Sequence, residues 1–216
     1  MFGARLAADK MLPDASMLAL ARDAAMRHGI DAALVCAVIE QESNWDTNAM
    51  RYEGAFRTRY VAPLGLSPTE EIARSISWGL MQVMGQVARE HGFAGKFLSR
   101  LCAPDSGVEM GCVVLADKIA KAQGQVGSAD ADGGGANSPS VQHANCMGAC
   151  RTAALGCVTL SGAGASKGAA DARGLTDAQI DDAGEMVVWR RALDLWNGGA
   201  NADYAGQVLA RLESYR

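Results

Sequence analysis

One glutamate, Glu42, stands where a carboxylic acid could donate a proton. It follows an apolar stripe within residues 34–39, and helical spacing places Glu42 on the same face, near the C-terminal end of the helix. Apolar surroundings and the negative end of the helix dipole both disfavour the ionised carboxylate, so its pKa should be raised. Such a group suits general acid catalysis of glycosidic cleavage. The spacing alone also allows a surface glutamate on a frayed last turn.

A second segment, SWGLMQVM at residues 77–84, combines groups that suit a ligand. Gly79 permits close approach of a ligand, Trp78 offers a flat face to a sugar ring, and Gln82 carries an amide that both donates and accepts hydrogen bonds. Later in the chain, the sequence WNGG at 196–199 should end one helix before the next begins. These segments predict a binding site at helix boundaries.

Three motifs in order, Glu42-Ser43, GLMQ at 79–82 and WNGG at 196–199, resemble those of lytic transglycosylases of the soluble-lytic-transglycosylase type. These enzymes belong to the lysozyme-like superfamily. The resemblance implies a lysozyme-like helical domain that cleaves the β-1,4 bond between N-acetylmuramic acid and N-acetylglucosamine in peptidoglycan. It implies no cofactor, and the only partner expected is the glycan strand.

The resemblance also implies roles for individual residues. Glu42 matches the single acid and base of the family, and Gln82 and Met84 match positions that contact the substrate sugars. Ser43 matches the serine after the acid, for which we expect a structural role. Asn197 matches the asparagine of the family's Tyr-Asn motif.

At the position before that asparagine, where the family has tyrosine, this chain has Trp196. If the indole N–H faces Glu42, it donates to the ionised carboxylate and partly offsets the effect of burial on the pKa. If the ring is turned away, Trp196 is a core aromatic residue. Tyr204, which opens the next predicted helix, joins the candidate substrate-binding residues.

The spacer between the first two motifs is lengthened by residues 51–75 and contains Tyr52-Glu53, a pair that resembles segments of phage cell-wall enzymes. Glu53 is the best candidate for the second carboxylate that a hydrolytic muramidase would use. The alternative is a solvated loop charge. The sequence therefore predicts the bond that is cleaved more firmly than the way it is cleaved. A non-catalytic glycan-binding or structural protein on the same scaffold is the alternative from another class.

The surrounding elements are predicted to be all-α or nearly so, in a single lysozyme-like catalytic domain of residues 1–216. Asp31 and Ser16 can cap two early helices, and a further helix is expected over 79–91. Residues 123–174 are rich in glycine, alanine and serine and contain no aromatic residue, so we expect a flexible insert there.

Bulk properties limit the partners. A formal net charge of -4 argues against nucleic acid as the main partner, and no apolar run is long enough for a membrane span. We expect a monomer that acts on the cell wall or in the periplasm. Because the first residues do not read as a signal peptide, we expect release by lysis or delivery in a phage particle.

Metal chemistry is not expected, because none of the three histidines, His28, His91 and His143, has the spacing of a His-Glu-x-x-His motif. The six cysteines leave three alternatives open: free thiols, a disulfide, or a mixed site in which His143 joins the cysteines at 146, 150 and 157.

Overall fold

The structure is a computed structural model that describes residues 13–129, 177–199 and 201–216. Within these ranges the chain is mainly α-helical, as the sequence predicts. The helices are α1 Ala15–Arg27, α2 Ala32–Ser43, α3 Gly54–Phe56, α4 Pro68–Arg74, α5 Gly85–Glu90, α6 Pro104–Ala129, α7 Asp177–Asn197 and α8 Tyr204–Leu212. A π-helical turn at Arg57–Val61 and 3₁₀ turns at Ala62–Leu64 and Leu98–Cys102 complete the helical part.

The central element is α2, which packs against α1 and α8. Every residue from Ala33 to Ile39 is buried, so the helix lies in the core on all sides and not along one stripe. Asp31 caps it as predicted, since its side chain accepts from the amide of Leu34 at 2.9 Å.

The predicted cap of α1 was two residues too late. Asp14 is the N-cap and accepts from the backbone amide of Met17 at 2.8 Å. Ser16 lies inside the helix, and its hydroxyl donates to the Asp14 carboxylate at 2.6 Å. A carboxylate at the helix N-terminus also faces the positive end of the dipole, which a serine hydroxyl does not exploit.

The helix predicted over 79–91 was wrong in its first half. A three-stranded antiparallel sheet occupies this part of the fold, in the order β1-β2-β3. Its strands are β1 Met50–Tyr52, β2 Ile76–Trp78 and β3 Val83–Met84. Gly79 and Gln82 have positive φ angles of 65° and 46°, which a continuous right-handed helix cannot contain. Only α5 remains helical, and strand β1 comes from the lengthened spacer.

Helices α6 and α7, which precede and follow most of the predicted insert in the sequence, pack against each other. Helix α6 continues to Ala129, so residues 123–129 are helical. The rest of the predicted insert lies outside the described residues, as do His143 and the cysteines at 146, 150 and 157. No described helix is long and apolar enough to cross a membrane.

The three described cysteines, Cys36, Cys102 and Cys112, are free thiols. Burial raises the pKa of Cys36 to about 11 and that of Cys112 to about 12. These two thiols therefore stay protonated and behave as small core residues.

Candidate active site

Glu42 lies in the last turn of α2 because the helix ends abruptly after it. Asn44 and Trp45 both adopt left-handed backbone conformations, with φ of 50° and 66°, and the amide of Asn44 closes the helix on the carbonyl of Glu40 at 3.0 Å. The side chain of Glu42 lines an open groove. Its neighbour Glu40 is only 10% exposed and pairs with Tyr215 and Arg211 instead.

Two neutral donors hold the Glu42 carboxylate. The hydroxyl of Tyr204 donates to Oε1 at 2.5 Å, and the indole N–H of Trp196 donates to the same oxygen at 2.8 Å. Burial raises the pKa of Glu42 above its ordinary value, although these two hydrogen bonds and the charge of Arg51 act in the opposite direction. Of the two geometries considered for Trp196, the structure has the one in which the indole faces the acid.

The strongest of these contacts was not anticipated from the sequence. Tyr204 begins α8 and is buried, so its hydroxyl reaches Glu42 from a different helix than Trp196 does. Burial and the nearby Glu42 charge raise the pKa of Tyr204 far above its ordinary value, so the phenol remains a donor. A phenol therefore contacts the acid here even though the tyrosine expected before Asn197 is a tryptophan.

The groove has a volume of about 660 Å³. It contains six of the candidate residues besides Glu42: Glu53, Gln82, Met84, Trp196, Asn197 and Tyr204. The rest of its lining is Gln41, Arg51, Phe56, Tyr60, Ser77, Val83, Val87, Val114, Lys118, Leu195, Gly198 and Asn201. This volume lies within the range of ligand-binding clefts in proteins.

Ser43 is the candidate that does not line the groove. Its hydroxyl lies 2.8 Å from the carbonyl of Leu80 and 3.1 Å from that of Ile39. The bond to Leu80 ties the end of α2 to the turn between β2 and β3. This is the structural role expected of the serine, because it fixes the two motifs relative to each other.

The Gln82 amide lies in the groove but is largely occupied by the protein. Its Nε2 donates to the carbonyls of Ala49 and Gly79, both at 2.9 Å, and its Oε1 accepts from the Ser77 hydroxyl at 3.0 Å. Both amide protons are used, so only the oxygen has remaining capacity for a ligand. Gln82 holds the β2–β3 turn, and its sugar contact stays a prediction.

Two neighbouring residues serve the core instead of a ligand. Gly79 lies so close to the carbonyl of Leu101 that a Cβ there would clash, so its small size accommodates the protein's own backbone. Trp78 is 7% exposed, and its indole donates to the carbonyl of Ala73 at 3.0 Å. The expectation that Trp78 offers a sugar-stacking face was therefore wrong.

The lengthened spacer forms one wall of the groove. Glu53, whose side chain is 33% exposed, is ion-paired with Arg51. Phe56 and Tyr60, from α3 and the π-helical turn, also line the groove, and their rings contact each other at a tilt of 47° with centroids 5.0 Å apart. Neither aromatic residue was predicted to line the groove. Aromatic residues next to charges in an inserted segment could have indicated a sugar-binding wall.

Asn197 and Met84 both line the groove. Asn197 ends α7 and donates from Nδ2 to the carbonyl of Asn201 at 2.9 Å, while Gly198 and Gly199 turn the chain away with φ of 64° and 78°. Met84 is the last residue of β3. The WNGG motif thus ends a helix, as predicted, and directs the chain towards Tyr204.

The sequence of the chain also matches a known protein family. Residues 19–138 match the transglycosylase SLT domain, which is more than half of the 216 residues. The chain therefore belongs to the transglycosylase SLT domain family, whose members have a lysozyme-like helical fold and act on peptidoglycan. No curated protein and no solved structure matched the chain. The matched segment includes Glu42, whereas Trp196 and Tyr204 follow it.

Proposed function

We propose that this protein is a lytic transglycosylase that cleaves the β-1,4 bond between N-acetylmuramic acid and N-acetylglucosamine, with Glu42 as general acid and then base. The observation that supports it most directly is a single carboxyl group of raised pKa, in an open groove, held by two neutral donors. Membership of the family supplies the substrate class. The site of action proposed is the cell wall.

The chemistry needs one carboxyl group in two protonation states. Protonated Glu42 gives its proton to the glycosidic oxygen, and the bond from C1 of the muramyl residue to that oxygen breaks. The resulting carboxylate then takes the proton of the muramyl 6-hydroxyl as that oxygen bonds to C1, which gives a 1,6-anhydro product without consuming water. Tyr204 and Trp196 stabilise the carboxylate between the two steps by donating to Oε1.

Hydrolysis of the same bond is the second candidate, and one observation favours it. Glu53 lines the same groove as Glu42, and a second carboxylate could activate water as in a muramidase. The side chain of Glu53 is ion-paired with Arg51, another residue of the groove lining. Glycan binding without cleavage is less favoured, because a binding protein gains nothing from a desolvated acid.

The masses of the products separate these functions. Purified peptidoglycan is digested with the protein, and the soluble muropeptides are weighed by mass spectrometry. A transglycosylase releases 1,6-anhydro ends, each one water lighter than the reducing ends that a muramidase releases. Reducing ends alone would contradict the transglycosylase proposal. Co-sedimentation with peptidoglycan without any soluble product would leave a binding protein.

A further inference from the structure

Lys118 carries a positive charge that lines the groove. It lies on α6, one turn after Val114, and both side chains line the groove. Lys118 is half-buried, and within the described part of the chain its ammonium makes no hydrogen bond and no ion pair. Arg51, also in the groove, is already paired with Glu53.

The charges around Lys118 do not neutralise it. Asp117 is engaged by Lys121 at 2.7 Å and by His91 at 3.4 Å, and Glu90 accepts a hydrogen bond from Gln86 at 2.9 Å. Burial and the repulsion from Lys121 lower the pKa of Lys118, and the charges of Asp117 and Glu90 act in the opposite direction.

An ammonium that is partly desolvated and unpaired is unfavourable, and a ligand anion would relieve that cost. Its three N–H groups suit a carboxylate approaching from the groove. The N-acetylated sugars of peptidoglycan are neutral along the backbone. Each peptide stem is joined through the lactyl carboxyl of a muramic acid residue, so on stem-bearing strands the free carboxylates are those of the stem.

We propose that Lys118 binds a carboxylate of the peptide stem on a muramic acid residue in the groove. This inference depends on the proposed function and extends it, because it makes the substrate a stem-bearing strand rather than bare glycan. Lys118 would then determine specificity while Glu42 does the chemistry.

Binding measured without turnover tests the inference. All variants carry Glu42→Gln, and the probes are soluble, uncross-linked glycan strands with intact stems and the same strands after amidation of their carboxylates. Lys118→Met should raise the Kd for intact strands about tenfold, or about 1.4 kcal/mol. The parent protein should lose about the same factor on amidated strands, where Lys118→Met should cause no further loss.

Two matched variants act as controls, and thermal melts verify that every variant folds. Lys118→Arg keeps the charge and should retain most of the affinity. Lys96→Met removes an ammonium that lies over the Phe97 ring, away from the groove lining, and should leave both affinities unchanged.

Three results would count against the inference. Unchanged binding of intact strands by Lys118→Met contradicts the inference about Lys118 and leaves the proposed function standing. An equal loss on intact and amidated strands has the same meaning. If the parent protein binds neither probe and the wild-type protein cleaves neither, the proposed function fails and the inference with it. The amidated probe therefore separates failure of the inference from failure of the proposed function, because a protein in which only the inference fails still binds amidated strands.

Discussion

The acid and the groups that tune it come from two different regions of the molecule. Glu42 ends α2, inside the segment that matches the family model, and its placement follows from a nearby helix stop. Trp196 and Tyr204 come from α7 and α8, beyond that segment. The position of the acid is thus a local property, while its pKa depends on how distant helices pack. Variants in the two regions should therefore differ in kind as well as in size.

The largest effect is expected in the first region. Glu42→Gln should reduce cleavage of peptidoglycan by at least about 10² to 10⁴, because an essential proton donor is lost. The release of soluble muropeptides measures it. Glu40→Gln, on the same helix but outside the groove lining, is the matched control and should retain activity. Normal turnover by folded Glu42→Gln protein would refute the assignment.

In the second region, Tyr204→Phe should have the next largest effect. In the proposed mechanism Glu42 acts in its protonated form, so the rate should fall as pH rises through its pKa. Removing the hydroxyl removes a donor to the ionised form, which raises that pKa further and moves the alkaline limb of the pH–rate profile upward. We also expect kcat to fall about tenfold because the acid loses an orienting contact.

Tyr215→Phe is the control for that experiment. It removes another phenol hydroxyl that donates to a glutamate of α2, here Glu40 at 2.6 Å, without touching the groove. Its alkaline limb should stay where it is. If both tyrosine variants shifted the limb equally, the effect would reflect general loosening of α2 and not the contact to Glu42.

Trp196→Phe should act in the same direction as Tyr204→Phe but more weakly. The indole makes the longer of the two hydrogen bonds, at 2.8 Å, and phenylalanine keeps most of the packing. A loss of a few-fold in kcat and a smaller upward shift of the limb are expected. Trp78→Phe removes an indole donor from the core and serves as the comparison. An unmoved limb with full activity would leave the Trp196 contact without catalytic meaning.

The smallest effect concerns stability. The folded-state pKa of Glu42 is raised, so the folded protein binds this proton more tightly than the unfolded chain does. Stability from this residue is therefore complete below its unfolded pKa and falls as pH rises towards the folded pKa. Glu42→Gln cannot ionise, so its Tm advantage should grow from acidic to neutral pH, by roughly 2–4 °C per kcal/mol.

Differential scanning calorimetry of both proteins at several pH values measures this difference. Glu40→Gln loses an ion-pair partner of Arg211 and should lower the Tm instead. A Tm difference between Glu42→Gln and wild type that is the same at all pH values would mean that burial does not raise the pKa of Glu42.

What the sequence predicted correctly is local. The Asp31 cap, the helical class and the end of α7 at WNGG all depend on residues within one or two turns. The strands were not predicted, because they depend on contacts between segments that are distant in the sequence. Strand β2 exists because it pairs with β1 from the spacer, Met50 opposite Trp78, and such pairing has no signature in a three-residue segment.

The site shows the same division. The motifs singled out Glu42, which lines the groove, and Ser43, which bonds the carbonyl of Leu80, and their roles stay predictions. The contact of Tyr204 with Glu42 requires the packing of α8 on α2. Phe56 and Tyr60 reach the groove because a π-helical turn follows α3 directly, which composition does not reveal. The inference about Lys118 depends on its having no acceptor among the described residues. That is a property of the folded molecule and cannot be read from the sequence.

The distance along the chain between the acid and its donors has a consequence for synthesis. Trp196 and Tyr204 follow Glu42 by 154 and 162 residues. A ribosome adds about 5–20 residues per second, so roughly 8 to 32 seconds separate the synthesis of Glu42 from that of its two hydrogen-bond donors. During that interval α2 can form, but its carboxylate has neither donor. The nascent chain therefore carries Glu42 long before its donors, and the arrangement is complete only when both α7 and α8 have packed.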